Sequence, residues 1–231
     1  MSNMNLPAPD PMLETQFQQR HDRAFAYLKG LLLDGGLEPN DLISTEEVGR
    51  ALGISRAPVT DAIKRLVRDG FMIVLPQVGC RICEPLAEDV DDFYHLFAKS
   101  EALITRMAAE RRTPGPIAAF TALTAQIDAQ LRNNLPGADA RALNRQRYEA
   151  IHAMADSKIT GDLVANMWDR SDFYIRIAYG SFRFSSAVQA SNTKIARAII
   201  DGDADTAAQV TEAYLLRVGV STAATLAAHG R

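Results

Sequence analysis

The sequence predicts a mainly α protein: an N-terminal winged helix-turn-helix over residues 16–85, then an all-α antiparallel helical bundle over residues 86–231. Three observations carry that expectation. Two short helices with caps and an intervening glycine are written into Ser44–Gly70. Two β-prone runs follow at once, and beyond Pro85 the apolar residues keep a helical period that breaks only where helices break.

Residues 1–15 hold Pro7, Pro9 and Pro11 and no helical period, so they are expected to form a flexible arm. From about Gln16 to Leu33, the positions Phe17, Ala24, Phe25, Leu28, Leu31 and Leu32 outline an amphipathic helix that Gly35-Gly36 ends. Leu37 to Leu42 reads as a turn into the next helix. Ser44 opens that helix with a capping box, accepting from the amide of Glu47 while Glu47 reaches back. The helix stops at Gly53, a residue that tolerates the left-handed conformation. Ser55 starts the following helix, with Pro58 in a first turn where a missing amide costs little.

In that second helix Val59, Ala62, Ile63, Leu66 and Val67 mark the buried face. Arg56, Thr60, Lys64, Arg65 and Arg68 are left outside. One-sided basic charge after a tight turn is the pattern of a helix that enters the major groove of double-stranded DNA. The plainer alternative is a helical hairpin with a solvated charged face. Phe71–Leu75 and Gly79–Cys83, separated by Pro76-Gln77-Val78, read as a β-hairpin wing. Gly79 and Arg81 fall near its tip, where backbone can approach a phosphate and Arg81 can reach the groove. Cys80 and Cys83 lie three apart with no second pair to complete a zinc site, and are expected to be ordinary strand residues.

The bundle is expected as six helices: Ala87 to Arg111, Ile117 to Asn133, Asp139 to Ala155, Gly161 to Tyr179, Ser185 to Asp201 and Asp203 to Ala228. On the first, Val90, Phe93, Phe97, Ile104 and Met107 face inward. Thr113–Pro116 and Leu135–Gly137 are the strongest breaks, and connections of this length suit antiparallel neighbours.

Composition narrows the function. Apolar residues are 47% of the 231, enough for a real core. A net charge of −3 does not oppose DNA binding, because local charge decides where a polyanion docks. No apolar run approaches a bilayer span, and the N-terminus lacks a secretory layout, so no membrane partner and a cytoplasmic location are expected. Two cysteines fit that reducing compartment. Gly-x-Ser-x-Gly, a nucleotide-binding glycine loop and His-Glu-x-x-His are all missing, so no enzyme is indicated.

The stretch Leu52-Gly53-Ile54-Ser55-Arg56-Ala57-Pro58-Val59-Thr60-Asp61-Ala62-Ile63 closely resembles the DNA-binding helices of the GntR family of bacterial transcription regulators. Members read Leu-Gly-Val-Ser-Arg-Thr-Pro-Val-Arg-Glu-Ala-Leu there. Ala57 and Thr60 replace the family's Thr and second Arg. The bundle resembles the FadR-type C-terminal domain of that family through Glu101-Ala102, Ala108-Ala109, Asn144-Arg145 to Ile151, Trp168-Asp169, Ala198-Ile199 and Gly202-Asp203. The resemblance spans about residues 20–220.

It also implies a sensing site. Many members hold a metal on an Asp and three His beside the effector, and those positions fall on Asn144, Tyr148, Asn192 and Tyr214. An Arg that often meets an effector carboxylate falls on Phe97. Neutral amides and phenols are poor transition-metal ligands at neutral pH, so neither a metal nor any other cofactor is expected. The four side chains are either satisfied core groups or the orienting groups of a small-molecule pocket, and His152 or His95 could approach the same place.

The expectation is therefore a homodimeric transcription regulator whose operator affinity answers to a metabolite, an organic acid or similar. Ser44, Ser55, Arg56, Thr60, Lys64, Arg65, Arg68, Gly79 and Arg81 would meet DNA. Phe97, Asn144, Tyr148, His152, Asn192 and Tyr214 would meet the effector. The alternative, kept open by Ala57 and Thr60, is a ligand-binding or protein-interaction module whose winged helix reads DNA poorly.

Overall fold

A computed structural model of the chain describes residues 6–132, 135–182 and 185–229. The chain divides into two compact units, Met1–Glu84 and Pro85–Arg231.

The first unit contains α1 (Met12–Gln16), α2 (Arg20–Asp34), β1 (Leu42–Ile43), α3 (Thr45–Leu52), α4 (Arg56–Arg68), β2 (Met72–Leu75) and β3 (Gly79–Ile82). Part of the expected arm is thus helical. Asp10 Oδ1 accepts the Met12 amide at 2.9 Å, and Arg23 pairs with Glu14 at 2.8 Å. Tyr27 donates its hydroxyl to the Pro7 carbonyl at 2.6 Å. The helix expected from Gln16 begins instead at Arg20, because the chain turns extended at Phe17 and again at Gln19. Its buried face is as expected at Ala24, Phe25, Leu28 and Leu32, and it packs on α4.

Ser44 Oγ accepts the Glu47 amide at 3.2 Å, which starts α3, and Gly53 ends it in the left-handed region at φ 64°. Arg23 Nη2 donates to the Leu52 carbonyl at 2.8 Å and so holds the C-terminal end of α3 to α2. Val59, Ala62, Ile63 and Leu66 are buried on α4, as their period requires. The wing has a third strand. Leu42, read from sequence as the end of a turn, and Ile43 after it pair with Arg81 and Cys80, so β3 is central in the order β1-β3-β2. Antiparallel pairing on its other side runs from Met72↔Ile82 to Leu75↔Gly79.

The second unit is helical in all its described elements: α5 (Ala87–Glu110), α6 (Pro114–Leu131), α7 (Gly137–Ala155), α8 (Lys158–Tyr179), α9 (Ser186–Asp201) and α10 (Ala204–His229). Helix α5 packs against α7, α8, α9 and α10, which makes it the centre of the bundle. Val90, Phe93, Phe97 and Ile104 are buried on it. Helix α6 begins at Pro114 rather than Ile117, because a proline at the first helical position lacks only an amide that has no helical partner. The expected end of that helix at Asn133 lies outside the described residues. Among the described residues no helix is long and apolar enough to cross a membrane.

Gly49 gives a test of the helix-turn-helix packing. A Cβ there would stand 2.8 Å from the Ile54 carbonyl oxygen, a backbone atom that cannot rotate aside. Replacing a helical Gly by Ala ordinarily gains about 1 kcal/mol. Here overpacking, about 1–3 kcal/mol, outweighs that gain. Gly49→Ala is expected to lower the denaturant midpoint, and an unchanged or raised midpoint would refute the close approach.

Candidate DNA-reading surface and effector core

Helix α4 presents Ser55, Arg56, Lys64, Arg65 and Arg68 to solvent, with Thr60 half-buried among them. Ser55 stands at the N-cap in extended conformation, and its hydroxyl makes no capping bond. Thr60 Oγ1 donates to the Arg56 carbonyl at 3.0 Å. Every basic side chain of this helix has an acidic neighbour. Arg56 Nη2 lies 2.5 Å from Glu46 Oε2, and Lys64 Nζ lies 3.2 Å from Asp61. Arg65 reaches Asp22 at 3.5 Å and stacks over the Phe25 ring at 3.8 Å, while Arg68 is 3.4 Å from Asp69.

From Ser55 to Arg68 the sequence itself holds one acid, Asp61, against these four cations. The fold, and not the local sequence, brings Asp22 from α2 and Glu46 from α3 to the same surface. On the wing, Gly79 is exposed beside the turn at φ 133°, and Gln77 is also left-handed at φ 62°. Arg81 lies two residues further in on the central strand, opposite Leu42 and Ile73. It is half-buried, and its Nε is buried without an acceptor.

In the helical unit the structure brings three of the four singled-out polar residues into one hydrogen-bonded chain. Tyr148 on α7 donates its hydroxyl to Asn192 Oδ1 on α9 at 3.0 Å, and Asn192 Nδ2 donates to Asn144 Oδ1 at 3.1 Å. Tyr214 on α10 is buried beside them and raises the pKa of Tyr148. Both phenols are held well above their ordinary range, first of all by burial. They stay neutral donors at any physiological pH. Phe97 is fully buried, its ring 5.1 Å from that of Trp168, which in turn lies 4.1 Å from the Tyr148 ring.

His152 belongs to this core and His95 does not. His152 Nε2 donates to Glu101 at 2.8 Å, whereas His95 is mostly exposed, 3.7 Å from Asp91. Glu101 was quoted only as a family echo, yet it is fully buried and also accepts from Trp168 Nε1 at 3.2 Å. Among the described residues no group of three His, Cys, Asp or Glu is placed to hold a metal.

Sequence reasoning missed Arg147. It lies three residues after Asn144 and four before Ile151, a cation on the apolar face of its helix, which was the available signal. Only 1% of it is exposed. Nη2 donates to Asp128, while Nε and Nη1 are buried with no acceptor. Burial raises the pKa values of Tyr148 and Tyr214, and the charge of Arg147 acts only partly against that rise.

The two units thus combine a helix-turn-helix built to meet a DNA groove with a helical core of converging polar groups, the constitution of a ligand-responsive transcription regulator. Comparison with known proteins agrees. The model of the FCD domain matches residues 93–217, and that of the bacterial regulatory proteins of the gntR family matches residues 20–82. The chain belongs to the GntR family of transcription regulators, with an FCD domain as its C-terminal, ligand-binding part. It is a transcription regulator and not an enzyme.

The HTH-type transcriptional regulator YdhC of Bacillus subtilis (strain 168) is 20% identical over 173 residues, 75% of this chain and 74% of its own. McbR of Escherichia coli (strain K12) is 25% identical over 144 residues, 62% of this chain and 64% of its own. The solved E. coli McbR/YncC structure superposes with a TM-score of 0.72 at 19% identity, covering 92% of this chain and 99% of that one. A putative GntR regulator from Rhodococcus sp. RHA1 gives 0.68, also at 19% identity, over 88% and 97%. At such identity the likeness establishes the fold alone.

Asp172 makes the helical core sensitive to pH. Burial pushes its carboxyl up to about 6, against the pull of Arg145 at 3.0 Å, and neighbouring Asp169 adds to the rise. The folded state therefore binds this proton more tightly than the unfolded chain. The resulting stability is full below the ordinary carboxylate range and is lost as pH rises through about 6. Between about pH 4 and about pH 7, wild type is expected to lose on the order of 3 kcal/mol relative to Asp172→Asn. Denaturant unfolding of both proteins across that range measures it, and parallel curves would refute the assignment.

Proposed function

We propose that α4 lies in the major groove of an operator as one half of a homodimer, and that a small organic effector bound in the helical unit changes affinity for that operator. The observation that carries the reading is the division of α4 into two faces. Val59, Ile63 and Leu66 are buried on one, while Arg56, Lys64, Arg65 and Arg68 stand in solvent on the other. Arg56, in the first turn, is placed for base edges, and the later cations for phosphates on either side of the groove. Ser44 at the start of α3, Ser55 at the start of α4 and Thr60 within α4 would add hydroxyl contacts, and Gly79 and Arg81 would add contacts from the wing.

Two-fold operators call for two such helices. Exposed Leu96 and Leu103 on α5 and Val220 on α10, helices that pack together, offer apolar surface that a second copy can cover. The regulator would work in the cytoplasm, where Cys80 and Cys83 stay as the free thiols they are here.

For the effector, Asn144, Tyr148, Asn192 and Tyr214 supply neutral donors and acceptors, and Phe97 with Trp168 supplies apolar wall. His152 closes one side through Glu101. The unmet N–H groups of Arg147 favour a ligand with a single negative charge over a neutral one. A metal would have to replace its water with uncharged ligands at four positions, so sensing is expected to work without one.

Two measurements test this. Arg56→Ala should weaken binding to the operator by about 1–3 kcal/mol, the range for loss of a base contact. Unchanged affinity in a folded variant would remove Arg56 from the reading face. Protein purified without an affinity tag should contain far less than stoichiometric Zn, Ni or Mn. Stoichiometric metal that disappears on changing Tyr148 or His152 would overturn the metal-free reading.

A further inference from the structure

We propose that Glu46 is a specificity-determining residue: its carboxylate holds Arg56 in place for a base edge and denies it to bare phosphate. The inference rests on the DNA-reading role of α4. Glu46 sits in the first turn of α3, across the turn from α4, and serves two guanidiniums at once. Its Oε2 is 2.5 Å from Arg56 Nη2, and its Oε1 is 3.5 Å from Arg50 Nη2.

Stability does not account for the arrangement. All three side chains are more than half exposed, and exposed ion pairs contribute little to folding. An acid in the first turn of α3 favours the helix dipole, but Glu47 beside it already fills that role. What the pair does is fix a long side chain at the N-terminus of the recognition helix before DNA arrives. Ordering that side chain in advance removes part of the entropic cost of binding. The bond to Glu46 takes Nη2, and a guanidinium carries five N–H donors, so donors remain for O6 and N7 of a guanine.

The two kinds of DNA contact then differ in cost. A guanine edge is uncharged and can accept from Arg56 while Glu46 keeps its bond. A phosphate that takes Arg56 must bring a second anion beside the Glu46 carboxylate. That penalty falls on backbone contacts whatever the sequence, and it lowers non-specific affinity more than specific affinity. The charge of the unit fits this division. Residues 1–84 carry nine Lys or Arg against eleven Asp or Glu, so general attraction to a polyanion is weak. Discrimination is left to contacts that need no net positive charge.

The test uses the full-length protein and a duplex that wild type enriches from a random pool. Affinities for that duplex and for a scrambled duplex of equal composition are measured across salt for wild type, Glu46→Gln, Arg56→Ala and the double variant. Glu46→Gln is expected to bind the scrambled duplex about tenfold tighter, with a salt slope steeper by roughly one, while its affinity for the selected duplex does not rise, because Arg56 is no longer ordered in advance. In the Arg56→Ala background the same substitution should have far less effect. Equal changes on both duplexes, no change, or an effect that persists without Arg56 would each overturn the proposal. So would a loss of binding that tracks a lowered unfolding midpoint, since that assigns Glu46 to the stability of α3. If wild type enriches no duplex, the DNA-reading role of α4 fails. If it does and Glu46→Gln discriminates as wild type does, only the role of Glu46 falls.

Discussion

The helical unit depends on one buried carboxyl group. Glu101 on α5 is shut off from water, and an isolated carboxylate in such a place would cost far more than a domain's whole stability margin. The structure meets that cost with donors from two other helices, His152 on α7 and Trp168 on α8. A buried group that must be satisfied leaves little freedom in how α5, α7 and α8 slide past one another. Trp168, once fixed, sets the planes against which Phe97 and Tyr148 pack, and Tyr148 carries the constraint to Asn192 on α9. The residues that line the core are thereby held by a polar lattice and not by apolar contact alone.

Helix α4 follows a different logic. Its cations are exposed and each stands next to an acid drawn from α2, α3, its own helix or its end. Pairs of this kind contribute little to folding stability. The paired acids offset much of the positive charge that the Lys and Arg content of the helix alone would give this surface. One chain thus uses charge in two ways: locked and dehydrated in the bundle, loosely partnered in the winged helix.

Most of the fold was legible in the sequence, because local rules and tertiary packing agree in it. Ser44, Gly53 and the buried face of α4 stand where capping and periodicity put them. Asn144, Tyr148 and Asn192 could be placed together only through the family resemblance, which supplied contacts between distant helices. What escaped was set by long-range pairing. The strand at Leu42–Ile43 is two residues long and carries no period, and only its partner β3 makes it a strand. The short helix at Met12–Gln16 is held by Asp10 and tied to α2 through its own Glu14 and through Pro7 before it, in a segment that proline content marks as loop. Glu101 and Arg147 were missed as chemical groups because a charged residue reads as surface until the fold buries it, although the apolar face on which Arg147 falls was visible.

The placement of β3 between β1 and β2 has a consequence for how this unit is made. Strand β1 precedes both helices of the helix-turn-helix, and its partner is the last strand of the unit. As the chain leaves the ribosome, α3 and α4 emerge well before the segment that joins the two ends of the sheet. Until Cys80 and Arg81 are out, Leu42 and Ile43 have no ladder to enter, and the loop between the partners must be closed against its entropy. Completion of the winged helix is therefore a late event in synthesis, and a nascent chain halted in the wing would carry α4 without the sheet that closes the unit.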